Sequence, residues 1–219
     1  MRVTLEIGPK GKKVVAVAPD WPGLARGAKT EAAAIERLLV YVPRYATVAK
    51  RAGMEATFAT VTDIDVVERY PGTGSTDFWG ISFAFSSIDH QTVSDEVLAR
   101  DLKLMRACWT FFDEVRARVS AELQRGPRGG GRDRDRIVQH TLGVELDWAK
   151  GLGVDFPLET LLTDAGLHDY RNAYCSAIQS FHAQGKMAKR WPLRYLIRHT
   201  AFHTLDHAWE MEDKDLTAK

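Results

Sequence analysis

The sequence predicts a chain in two parts: an α+β N-terminal domain over residues 1–90, in the order strand, strand, helix, strand, strand, and an all-α four-helix bundle over residues 91–219. Two observations divide it this way. Before residue 90, apolar residues alternate with polar ones in short segments separated by Gly and Pro. From Ser94 onward the apolar period lengthens to three or four and stays there. A third observation says that both parts fold: of 219 residues, 45% are hydrophobic and 27% charged, the balance of a globular protein.

The first strand is read from Val3, Leu5 and Ile7, which alternate with polar neighbours. The second is the β-branched run Val14 to Ala18, reached across the turn signal Gly8-Pro9-Lys10-Gly11 and stopped by Pro19-Asp20-Trp21-Pro22-Gly23. Thr30 is placed to cap an Ala-rich helix with Ile35, Leu38, Leu39 and Val42 on one face, and Pro43 is expected to kink or end it. After Gly53, Phe58, Thr60, Thr62, Ile64 and Val66 suggest a third strand. Trp79, Ile81, Phe83 and Phe85 suggest a fourth, past Pro71-Gly72-Thr73-Gly74.

Four helices follow. Ser94 caps the first, whose stripe is Leu98, Leu102, Met105, Trp109, Phe112, Val119 and Leu123. Ile137, Thr141, Val144 and Trp148 mark the second, ending near Gly151, and Leu167, Tyr170, Tyr174, Ile178 and Phe181 the third, stopping near Gly185. Pro192 sits at the first helical position of the fourth, which runs through Leu193, Leu196, Thr200 and His203. Aromatic stripes at these spacings, Trp79, Phe83, Phe85, Trp109, Phe112, Tyr174, Phe202 and Trp209, read as core.

Thirty Lys and Arg stand against 29 Asp and Glu, a net charge of +1, so the balance asks for no nucleic-acid partner. No apolar run approaches the ~20 residues of a membrane span, and Met1 to Ile7 lacks the apolar stretch of a signal peptide. Cys108 and Cys175 fall in helical apolar patterns and read as buried hydrophobes in a reducing compartment, which makes the expected location cytoplasmic. The Gly and Arg stretch from Arg125 to Arg132 reads as an exposed flexible loop, with a phosphate- or partner-binding loop as the alternative, since Arg125, Arg128, Arg132, Arg134 and Arg136 are offset only by Asp133 and Asp135. No strand precedes it and no Gly-Lys-Ser/Thr follows, so it is no nucleotide-phosphate loop.

His199, His203 and His207 recur every four residues on the last helix. A run of three at this spacing has a chance expectation on the order of 0.01 in a chain with this histidine content. Residues four apart on a helix stack on one face, close enough for neighbouring imidazoles to share one metal ion. His199 and His207 are two turns apart and cannot join the same small site, so one pair supplies two ligands and another helix the third. His140 is the candidate, because it lies beside Ile137, Thr141 and Val144 on the second helix. Glu145, Asp147, Asp206 and Glu210 are near enough in sequence to hold the free imidazole nitrogens. His90, His168 and His182 show no such relation and read as turn or surface residues.

The segments Ile137 to Glu145 and Arg198 to His207 resemble the DinB/YfiT superfamily, over about residues 92 to 213. That resemblance implies a four-helix bundle binding a divalent metal through a second-helix histidine and a His-x-x-x-His pair on the last helix. The corresponding residues are His140, His203 and His207, with the His199 and His203 pair as the alternative. It further implies zinc, or else nickel, manganese or iron, and an activity in which water or a low-molecular-weight thiol is activated toward a small-molecule substrate: a hydrolase or a thiol transferase. Residues 1–88 bear a weaker resemblance to HicB-type antitoxin domains through Pro19, Asp20, Pro22, Gly23, Gly27 and Thr30, although Ala33 stands where those domains carry a glutamate. A homodimer with no nucleic-acid or membrane partner is the expected assembly. The competing expectation is a regulatory, antitoxin-like binding protein whose histidines hold a structural metal or sense pH.

Overall fold

The computed structural model describes residues 1–60, 63–126 and 131–217. It has a small four-stranded mixed sheet near the N-terminus and a mostly helical remainder. Two compact units emerge, residues 1–108 with 197–202, and residues 109–196 with 203–219.

In the first unit, β1 (Arg2–Ile7) pairs antiparallel with β2 (Val14–Val17), and β2 pairs antiparallel with β3 (Ala25–Ala28). Helix α1 (Glu31–Arg51) and the short α2 (Glu55–Ala59) carry the chain to β4 (Asp65–Pro71), which lies parallel to β1, giving the order β3-β2-β1-β4. A parallel neighbour needs a long crossover, and α1 supplies it, packed on β2 and β3. Thr30 caps α1 as expected, its Oγ1 accepting from Ala33 N at 3.2 Å. The helix does not end at Pro43, which is exposed, but continues to Arg51. Its buried stripe is Ala34, Leu38, Tyr45, Val48 and Ala49, so of the four residues expected there only Leu38 is buried, and Leu39 is 44% exposed.

The expected strand order needs correcting to strand, strand, strand, helix, helix, strand. The breakers at Pro19 to Gly23 do not end the sheet. They form a tight turn, with Gly23 at φ +97, that returns the chain as β3. With the sequence Ala-Arg-Gly-Ala, β3 carries no β-branched signal. Its Gly27 is required by a close approach, since a Cβ there would lie 2.2 Å from Gly80 O. Phe58 belongs to α2, packed on Trp21 and Tyr45, and β4 begins only at Asp65; Thr62 lies outside the described residues.

The fourth expected strand is absent as well. Trp79 closes α3 (Gly74–Trp79) and is 62% exposed. The backbone after it is satisfied by a side chain and not by a ladder. The fully buried Glu6 carboxylate accepts from Phe83 N at 3.0 Å, Ala84 N at 3.2 Å and Ser82 Oγ at 2.6 Å, as well as from Tyr70 and Thr76 hydroxyls. Close by, Arg198 grips Asp89 with two bonds of 2.6 and 2.7 Å. Burial alone would raise the Asp89 carboxyl, but this guanidinium and the Ser86 donors hold it below its ordinary value. Cys108 is buried among apolar groups, which pushes its thiol up.

Four long helices follow, near the expected places: α4 (Asp95–Arg118), α5 (Arg134–Ala149), α7 (Asp164–Ala183) and α8 (Leu193–Asp213), with the single-turn α6 (Leu158–Leu161) between α5 and α7. Ser94 Oγ accepts from Val97 N at 3.3 Å at the start of α4, and Gly185 follows α7 at φ +63. Pro192 is the cap of α8. In place of the expected last turns of α4, Leu123 bridges to Asp215 and Gln124 N donates to Lys214 O, tying this segment to the end of α8. The second unit's core joins Trp109, Phe112, Ile137, Leu142, Tyr170, Tyr174, Ile178 and Trp209, all buried. Residues 127–130, the middle of the expected Gly and Arg loop, lie outside the described residues. Among the described residues no helix is long and apolar enough to cross a membrane.

Candidate metal centre

His140 lies on α5 next to the buried Thr141, whose hydroxyl donates back to Ile137 O at 2.8 Å. His203 and His207 lie one turn apart on α8, among the buried Thr204, Leu205 and Ala208. Both helices therefore present half-buried imidazoles from stripes whose neighbours are core. The ring centroids are 5.3 Å apart for His140 and His203, 5.0 Å for His140 and His207, and 4.6 Å for His203 and His207. One ring nitrogen from each residue lies within 4.8 Å of the other two, and no fourth His, Cys, Asp or Glu joins this group among the described residues.

One nitrogen of His207 is engaged. Its Nδ1 sits 2.8 Å from Glu210 Oε2, one turn further along α8. That hydrogen bond, with help from Lys214, pulls the Glu210 carboxyl down to about 2 against the opposing effect of burial. With Nδ1 held as the donor, the Nε2 lone pair is left for a ligand. His140 is held below the ordinary histidine value by burial, then by the nearby Arg132 guanidinium and the neighbouring His207 ring, while Glu210 pulls the other way. A depressed value keeps the ring neutral and its lone pair available.

This donor set fits a divalent transition metal. Three neutral imidazoles suit zinc, nickel or iron. Zn–N bonds of ~2.0–2.1 Å place tetrahedral ligands roughly 3.4 Å apart, so the observed spread is an open form of the same arrangement. Three protein ligands with no fourth is the count of a centre with a free position, whereas a structural zinc has four.

His199 is not in this group. It is 4% exposed in the first unit, its ring 5.5 Å from Phe83, and burial pushes it down to about 3. His90 and His168 are exposed, and His182 is half-buried near the end of α7. Of the acids considered as partners, Glu210 makes a hydrogen bond to a clustered ring. Asp147 pairs with Lys150 at 3.0 Å, and Glu145 is buried, accepting from Trp109 Nε1 at 2.8 Å.

Sequence reasoning counted Trp148 as core only. Its ring is in fact T-shaped against His203 at 5.2 Å and packs on Trp191 at 5.8 Å. The signal was available, because eight residues beyond His140 a side chain returns to the same face of α5. No protein-family model matches this chain, and neither does any curated protein or solved structure.

Proposed function

We propose that this chain is a divalent-metal-dependent enzyme of the DinB-like kind, its long helices forming a four-helix bundle, acting as a hydrolase or a thiol transferase on a small molecule. The observation that carries this reading is the convergence of His140, His203 and His207 from two helices, with nitrogens within 4.8 Å and no fourth ligand among the described residues. These three residues would hold the ion. A divalent ion with a vacant position supplies Lewis acidity and lowers the pKa of a bound water or thiol toward neutrality. The chain's own contribution is orientation and shielding: Glu210 fixes the His207 tautomer, and the Trp148 indole covers one side of His203.

Metal analysis of the purified protein tests the reading. About one equivalent of zinc, nickel, manganese or iron is expected, lost in His203→Ala and in His207→Ala while circular dichroism stays native. Metal-free protein that takes up none of these ions on titration would remove the proposal. In cobalt-substituted protein, a visible spectrum that shifts on adding a small thiol assigns thiol transfer. A spectrum indifferent to every thiol leaves hydrolysis.

A further inference from the structure

Beside the histidine cluster the second unit holds an open cleft of about 580 Å³, lined by Trp148, Gly151, Trp191, Lys189, Arg190 and Asp147 among others. Its volume is that of a small-molecule site. Its inner wall is a corner of two indoles, Trp148 and Trp191, inclined at 50° with centroids 5.8 Å apart. Trp148 also touches His203 at 5.2 Å, so whatever lies on its ring in the cleft is one indole away from the cluster.

The cleft's other side is a tight turn. Ala188 and Trp191 exchange two backbone hydrogen bonds of 3.0 Å, leaving Lys189 and Arg190 as the two residues at its tip. Lys189 has φ +55, and among the described residues it is the one non-glycine with positive φ. A glycine would serve that turn without strain, yet the position carries a cationic side chain. Strain of this kind persists where the surrounding structure holds it, and it gathers at binding sites. Both cations are exposed, and among the described residues neither has a carboxylate partner. The acid on the rim, Asp147, is already neutralised by Lys150. The cleft is therefore aromatic on one side and positively charged on the other.

We propose that this cleft is the substrate pocket and that it selects a flat, apolar small molecule bearing one anionic group, the ring on the Trp148 and Trp191 corner and the anion at Lys189 and Arg190. The cleft's catalytic meaning rests on the metal-centre reading; its binding preference does not.

The test uses 2-naphthoate and its neutral counterpart 2-naphthylmethanol, titrated into the full chain with and without added zinc and followed by the indole N–H resonances of Trp148 and Trp191. The expected result is that both resonances shift and that naphthoate binds about five- to tenfold more tightly than the alcohol. Lys189→Gly with Arg190→Gln should erase that preference, and Gly151→Leu, which fills the cleft without touching its charge, should weaken both probes. Equal affinity for the two probes, no binding, shifts confined to other residues, or a preference that survives loss of both cations would overturn the proposal. The two readings fail separately: naphthoate binding in protein that takes up no metal sinks the metal centre alone, and zinc-loaded protein that ignores naphthoate sinks the pocket alone.

Discussion

Glu210 Oε2 lies 2.8 Å from His207 Nδ1 on the same face of α8, and the two are tied through consecutive turns of one helix. A carboxylate in this place fixes which nitrogen of His207 carries the proton and raises the basicity of the other. Removing such a partner typically weakens metal affinity about 10–100-fold. Glu210→Gln is therefore expected to weaken zinc binding within that range while leaving the stoichiometry at one. Competition with a chromophoric chelator reads the change directly, and an unchanged affinity would show that Glu210 serves only Lys214.

The last helix offers two histidine pairs at identical spacing, and the structure separates them by environment. His199 is buried against Phe83, whereas His203 and His207 face His140. His199→Ala should keep full metal content and lose stability by about 2–4 kcal/mol, as expected for emptying a packed site. His140→Ala should do the opposite: lose the metal with only a small change in the metal-free protein's melting temperature. Metal loss in His199→Ala with its fold intact would reverse the assignment of the pair.

The helices were legible because their signals are periodic and local: caps at Thr30 and Ser94, apolar stripes over four or more turns of the later helices, and a histidine repeat that fixes a face of α8. The sheet was legible only in part. β1 and β2 announce themselves through alternation, but Ala-Arg-Gly-Ala in β3 is chosen for close approach to Gly80 and contains nothing that favours a strand in isolation. The alternation of Trp79, Ile81, Phe83 and Phe85 failed for the opposite reason: its backbone donors are satisfied by Glu6, 77 residues from Phe83, and no local pattern records that. At the site, spacing singles out the histidines of α8 and His140 as the partner, but the choice of His203 and His207 over His199 and His203 comes from the resemblance. The turn that carries Lys189 and Arg190 was not, because a positive φ at a lysine leaves no mark in the sequence.

Glu6 makes a stability prediction of its own. Its carboxylate is fully buried and accepts five hydrogen bonds, from Tyr70, Thr76 and Ser82 hydroxyls and from the Phe83 and Ala84 amides. In Glu6→Gln one acceptor becomes an NH2 donor pointed at groups that donate. The variant should lose about 3 kcal/mol or more, since buried donors are left without acceptors in a dry environment. Urea denaturation followed at tryptophan measures this, and a loss below about 1 kcal/mol would mean that the segment from Ser82 to Ala84 is held by something other than this carboxylate.

Glu145 carries a pH dependence of its own. It is 2% exposed on α5. Burial pushes its carboxyl from 4.5 up to about 7, against the opposing pull of Arg171 and the Trp109 hydrogen bond. The unfolded chain releases this proton near its ordinary value while the folded chain keeps it until about 7, so across that interval the native state binds more protons. The contribution of Glu145 to stability must therefore fall as pH rises from about 4.5 to 7, by an amount of order 3 kcal/mol, and level off above. Glu145→Gln keeps a carbonyl for Trp109 Nε1 and cannot ionise. Its stability should match the wild type near pH 5 and exceed it near pH 8 by a comparable amount. Urea unfolding of both proteins at the two values of pH isolates this group, because the other titrations are common to both and cancel. A difference between variant and wild type that is the same at pH 5 and pH 8 would mean that the Glu145 proton is released at its ordinary value in the folded chain.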